Sequence, residues 1–253
     1  PGLKVHSKIG YIERKPEGML AQKYVFISTG NFHAGTAKIY TDYTYFTTNP
    51  GITKDVEQIF KFFGANYLNL TYNHLLVSPY GTRKKIVKMI KREIKNHQAG
   101  LPAEINMKLN SLSDKQIIDL LYKASQKGVK VRLVVRGINC LIPGVKNLSE
   151  NIECVSVIDK FLEHPRVYWF KNAGDDKVYI SSADMMERNL DNRVEVACPI
   201  YDHKFKKIVM DTFNLSFEDN VKGRQITAES SLEYKRNNKK PNRSQFTTYE
   251  YFK

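Results

Sequence analysis

Two short segments of this 253-residue chain place a histidine two positions before a basic residue. They are His6-x-Lys8 within LKVHSKIGYI and His164-x-Arg166 within FLEHPRVYWF. Both runs are otherwise largely apolar or aromatic, the composition of a buried strand, and along a strand residues i and i+2 face the same side. Each pair therefore presents an imidazole beside a cation. A phosphoryl group suits such a pair. Its oxygens take charge-assisted hydrogen bonds, and a neighbouring cation favours the neutral ring, whose nitrogen lone pair stays free. With two such pairs face to face, one ring attacks phosphorus. The other donates a proton to, or holds charge on, the leaving oxygen.

One histidine on an apolar strand reads as a core residue; a repeated one does not. The first motif leads into VFISTGN, ending at Asn31, and a basic and aromatic stretch to Asp42. The second leads into VYISSAD, ending at Asp184, and RNLDNRVEVA. Self-similarity of this kind marks a duplicated domain, with its boundary expected near residues 66–75. Lys8 and Arg166 are expected as phosphate neighbours, and the Asn31 amide as a donor to a phosphate oxygen. Asp42 and Asp184 either orient a histidine or lysine, as supporting carboxylates do, or cap loops. His33, His74, His97 and His203 lack such partners and read as structural or surface residues. No His/Cys spacing suits zinc.

These residues need a scaffold. Periodicity predicts strands over 3–12, 23–28, 43–48, 74–78, 103–110, 129–137, 152–157, 165–171, 177–181 and 193–198. Helices are expected from the Asn49–Pro50 turn to Phe63 with Thr53 as cap, over 82–100, over 114–128 and over 203–217. Strand, helix and strand over 103–137 make a parallel crossover unit. Arg136 ends its last strand and is followed by Gly137. That is the carboxyl edge, where α/β sheets hold ligands, so a guanidinium there suits phosphate. Tyr40 reads equally as a half-buried sheet aromatic. Residues 83–95 form a helix with a basic outer face, of which Arg83 is best placed to touch a phosphate chain. From Val221 the chain reads as a solvated basic extension with a short ordered end.

Net charge is +14, which favours polyanion partners: nucleic acid, phosphate esters or an anionic membrane surface reached peripherally, with charge alone not choosing among them. No apolar run has the length of a membrane span, and the start resembles no signal peptide. Cys140, Cys154 and Cys198 have no CxxC spacing and read as reduced, buried thiols of a cytoplasmic protein. The chain opens on Pro1 and is soon in a strand, so it is expected to be a piece of a longer protein.

The repeated H-x-K/R motif, each followed by a polar loop, resembles the phospholipase D superfamily. STGNFHAGTAKIYTDY, KLNSLSDKQIIDLLYKASQKGVKVRLVVRGINCLIPGV, FLEHPRVYWF and VYISSADMMERNLDNRVEV resemble the carboxy-terminal half of bacterial polyphosphate kinases of the long, multi-domain type. The resemblance implies an α/β fold of two phospholipase D-like domains with mixed sheets flanked by helices. The first, 1–70, is truncated at its amino terminus; the second is 71–225, and 226–253 is the basic extension. It implies reversible transfer of the ATP γ-phosphate to polyphosphate through a phosphohistidine at His6. Tyr40, Arg136 and His164 match nucleotide-contacting positions, and His164 is also implicated in catalysis. It implies Mg2+ carried with ATP, its ligands lying upstream of this chain, a homo-oligomer, and no specific nucleic acid. It further implies that these residues alone are scarcely active. Two other readings stay open: a phosphodiesterase, against which Arg166 in place of Lys and Asp184 in place of Asn argue, and a non-catalytic polyanion-binding module.

Overall fold

The computed structural model describes residues 3–65 and 70–253; the first four residues of the expected boundary stretch 66–75, namely 66–69, lie outside them. From the amino terminus come β1 (Lys4–Val5), β2 (Lys8–Arg14), β3 (Gln22–Ser28), α1 (Ala34–Ala37), β4 (Tyr40–Thr41), β5 (Thr44–Thr47) and α2 (Pro50–Gly64). The second repeat holds β6 (Leu76–Ser78), α3 (Thr82–Gln98), β7 (Glu104–Leu109), α4 (Lys115–Gln126), β8 (Lys130–Val135) and β9 (Ile152–Val157). It continues with β10 (Leu162–Glu163), β11 (Arg166–Phe170), β12 (Lys177–Ser181), α5 (Glu187–Asp191), β13 (Arg193–Pro199) and α6 (His203–Phe217). The chain ends in β14 (Gly223–Ile226), β15 (Leu232–Tyr234) and α7 (Ser244–Tyr251).

The large sheet runs β1-β13-β12-β11-β7-β8-β9-β14-β15, with β6 also on β13. β7, β8 and β9 are mutually parallel, whereas β11 and β12 pair antiparallel to their neighbours, so the α/β class with mixed sheets holds. Alternation divides each strand between two cores. Val131, Leu133 and Val135 of β8 and Tyr168 and Phe170 of β11 face α3 and α4, meeting Ile86, Ile90, Ile117 and Leu121. Val134, Val167 and Trp169 face the other way, onto Val209 and Phe213 of α6. Ile52, Val56 and Ile59 of α2 and Val25 and Ile27 of β3 belong to that second core. The small sheet β2-β3-β5 is thereby fastened to the large one by shared apolar burial, worth about 1.5–3 kcal/mol per fully buried side chain.

Three local expectations change. Asn49, not Thr53, caps α2, its side chain accepting from the Gly51 and Ile52 N–H groups; Thr53 is buried inside the helix. The stretch from Val221 is not a free extension. β14 pairs with β9, and Arg243 holds Asp159 through two hydrogen bonds of 2.8 and 2.6 Å, seating α7. Polar composition hid this because the sheet edge is recruited by backbone bonds, which any sequence supplies. Cys154 and Cys198 are buried, and burial pushes the Cys154 thiol up to about 12; Cys140 is exposed.

Candidate active site

The strand expected over 3–12 is two strands, and His6 is the joint. β1 pairs parallel with β13, β2 turns away into the small sheet, and the N–H groups of His6 and Ser7 both donate to the Val194 carbonyl (2.9 and 3.0 Å). His164 occupies the same kind of break, between β10 and β11, followed by Pro165, which holds the residue before it extended.

The two copies match residue for residue. Lys8 stands opposite Ser28 in the small sheet, and Arg166 opposite Ser181 in the large one. Ser28 Oγ accepts from the Gly30 N–H (3.1 Å), and Ser181 Oγ from the Ala183 N–H (3.0 Å). Lys8 Nζ donates to His6 Nε2 (2.9 Å) and to its carbonyl (2.6 Å). The Arg166 guanidinium lies 2.9 Å from His164 Nε2 and donates to the His164 carbonyl (3.1 Å).

The carboxylates cross over. His6 Nδ1 lies 2.9 Å from the carboxylate of Glu195 on β13, in the second copy. His164 Nδ1 lies 2.8 Å from Asp42 Oδ1, in the first. A carboxylate only accepts, so each ring donates from Nδ1 and keeps its Nε2 lone pair toward the cation. Thr29 Oγ1 donates to Asp42 (2.7 Å), and Ser182 and Asn189 donate to Glu195, which is fully buried. Arg166 also donates to the Thr29 carbonyl (3.3 Å), tying the copies together. Gly30 is required here: a Cβ would stand 1.8 Å from Asp42 Oδ2.

Other cations converge on this cluster. Lys8 is buried, and that burial pulls its ammonium down to about 8, with Arg166 adding to the drop and Glu195 opposing it. Arg136 leaves the carboxyl end of β8, and its Nε donates to Asn110 Oδ1 (2.6 Å) at the end of β7. Burial, then Arg166, pushes its guanidinium down. The Tyr40 ring packs on the His164 ring with centroids 5.1 Å apart. Three fixed or near-fixed cations around two imidazoles make an anion site, suited to a chain of phosphates.

Asp184 caps the loop after β7, accepting from the Asn110 and Ser111 N–H groups (2.7 and 3.0 Å), and orients the Arg166 guanidinium (3.0 Å) rather than a histidine or lysine. Asn31 is exposed, its carbonyl accepting from the His33 N–H (3.0 Å). Arg83 is committed to Asp114 and Asp191, with both carboxylates bonded to its guanidinium. It is a clamp between α3, α4 and α5, not a free phosphate contact. Glu195 escaped the sequence reading, although a signal existed. Asn31 precedes Asp42 by the same spacing as Asp184 precedes Glu195. Among the described residues no group of three His, Cys, Asp or Glu side chains forms a metal cage. The site's carboxylates are already taken by rings, hydroxyls, amides and guanidinium, so these residues do not fit magnesium by themselves.

A duplicated histidine–cation site lies on a mixed α/β scaffold, and comparison with known proteins identifies the family. Residues 1–69 match the family model "Polyphosphate kinase C-terminal domain 1", and residues 75–245 match "Polyphosphate kinase C-terminal domain 2". The chain belongs to the polyphosphate kinase family. It is 46% identical over its whole length to the polyphosphate kinase of Escherichia coli K12 and 45% identical to that of Vibrio cholerae. The crystal structure of polyphosphate kinase from Porphyromonas gingivalis superposes with a TM-score of 0.94 at 40% identity, covering all of this chain and 39% of that one. The chain spans 37% of the length of the E. coli relative and 36% of the Vibrio one. No helix among the described residues is long and apolar enough to cross a membrane.

Proposed function

We propose that this chain carries the phosphoryl-transfer site of an ATP:polyphosphate phosphotransferase. The arrangement that supports it is the pair of imidazoles, each with Nδ1 on a carboxylate of the other copy and Nε2 beside a cation. The name its relatives bear agrees with that chemistry.

His6 Nε2 is the nucleophile. As the γ-phosphoryl group arrives, the Lys8 ammonium turns from the ring lone pair to a phosphate oxygen. The P–N bond forms and the bond from phosphorus to the β,γ-bridging oxygen breaks, its electron pair leaving with ADP. The Nδ1 proton stays on the ring, and Glu195 offsets the positive charge of the phosphoimidazolium. A terminal polyphosphate oxygen then attacks the same phosphorus, the P–N bond breaks, and the His6 lone pair returns. His164, Tyr40, Arg136 and Arg166 hold the nucleotide and its phosphates. To act on the leaving oxygen the His164 ring first takes up a proton at Nε2, and Asp42 on Nδ1 stabilises the resulting imidazolium, which then donates that proton. Magnesium comes with the nucleotide phosphates, and the 253 residues alone transfer phosphate poorly, since none of their site carboxylates is free to take it.

The test exchanges these residues for the matching region of the E. coli relative. Incubation with γ-labelled ATP should leave an acid-labile, base-stable label that His6→Ala abolishes. A label persisting in His6→Ala, or phosphodiester hydrolysis without any covalent label, overturns the reading.

A further inference from the structure

The carboxy-terminal helix reaches the second histidine through one side chain. Gln245, on α7, uses its amide as a strand would. Its Oε1 accepts from the Phe161 N–H (2.9 Å), and its Nε2 donates to the Phe161 carbonyl (2.8 Å) and to Glu163 Oε1 (2.8 Å). These bonds brace β10, a strand of two residues that ends immediately before His164. The opposite edge of β10 pairs with β4, setting Leu162 against Tyr40 and Glu163 against Thr41. β10 thus lies between Gln245 and the strand that carries the tyrosine packed on the His164 ring.

Asp42, Glu163, Pro165 and Gln245 help line a pocket of about 310 Å³ beside this strand, and across it the Gln245 amide supplies directed bonds to the backbone of Phe161 and to Glu163. Glu163 is buried and gives its other oxygen to Lys108 Nζ (2.6 Å), itself buried and also bonded to Ser216 (2.9 Å). α7 is in turn fixed to the body by Arg243 on Asp159 and by the Ser244 N–H on Asp219 (2.7 Å).

We propose that Gln245 is a positioning residue, through which the carboxy-terminal helix sets the geometry of His164 and Tyr40 for nucleotide. The proposal rests on the reading of His164 as the nucleotide-side histidine. It touches no reacting atom; it acts by holding Phe161 and Glu163.

The experiment records the imidazole proton–carbon correlations of the 253-residue chain and of Gln245→Ala and Gln245→Glu, with Phe246→Ala as a control on the same helix. Both Gln245 variants should displace the His164 signal and leave those of His6, His33 and His97 in place; Phe246→Ala should move none. Gln245→Ala removes three hydrogen bonds and Gln245→Glu the two donated by Nε2; acting at one remove, either loss should weaken ADP binding about tenfold. An unmoved His164 signal in both variants overturns the proposal, as does an equal displacement of His6, which would mean general loosening. His164→Ala, titrated with ADP, separates the two ideas. If it binds ADP as tightly as the unaltered chain, the nucleotide role of His164 fails, while the ring signals alone still decide whether Gln245 sets that ring.

Discussion

His6 and Glu195 belong to opposite copies of an internal repeat, yet their side chains meet at 2.9 Å, and the Glu195 carboxylate is fully buried. The proton on Nδ1 therefore has an acceptor, and Nε2 keeps the free lone pair beside Lys8. Glu195→Gln keeps the shape but offers an amide that donates as well as accepts. The ring then turns its lone pair the wrong way and loses the charge that balances its phosphorylated form. Phosphoryl transfer should fall by roughly 100-fold or more, measured as initial rate in the exchanged enzyme, with the fold retained by circular dichroism.

Lys8 should give the reaction an alkaline limit. Its folded value of about 8 lies below the ordinary 10.5, so the ammonium is lost as pH rises through 8 and a phosphate oxygen loses its partner. The stability effect has the opposite sign. Between about 8 and 10.5 the unfolded chain binds the proton that the folded one has shed, so this residue makes the fold more stable as pH rises. Lys8→Arg, copying the residue of the second motif, should remove the decline near pH 8 from the pH–rate profile. A profile that keeps it assigns the limit elsewhere.

Gly30→Ala tests the crossed support from the other side. The new methyl group and the Asp42 carboxylate cannot share their space, and a carboxylate at the end of a short side chain yields more readily than backbone. Asp42 then leaves His164 Nδ1. Nucleotide affinity should drop about tenfold with little change in the melting temperature. His6 should keep its labelling in the reverse direction, from polyphosphate.

Arg83→Ala should behave as a structural lesion. Asp114 is buried and caps α4 while bonded to this guanidinium, so removing Arg83 leaves a carboxylate half-satisfied. A loss of about 2 kcal/mol is expected in denaturant unfolding. Polyphosphate affinity, by filter binding, should stay unchanged.

The sequence carried the two motifs because histidine and cation two residues apart survive as a pattern whatever the backbone does. The contacts formed as expected, but not by strand alternation: both histidines sit in breaks, where the chain passes between neighbouring sheet elements. Long amphipathic segments such as α3 were legible from their period, with Ile86, Ile90 and Ile94 on one face. Glu195 was not, since one acid in the apolar run RVEVACP looks like the polar side of a strand until the partner across the repeat is known. β14 was hidden for the same reason, its ladder being written in backbone groups.

The exchanged carboxylates have one more effect. If the small sheet slid against the large one, His6 would lose its acceptor on β13 at the same moment that His164 lost its acceptor from the first copy. A relative slide of the two halves thus disarms both rings together, whereas a change at a single support reaches one ring only. A hinge placed between them would act as a single off switch for both steps of the transfer.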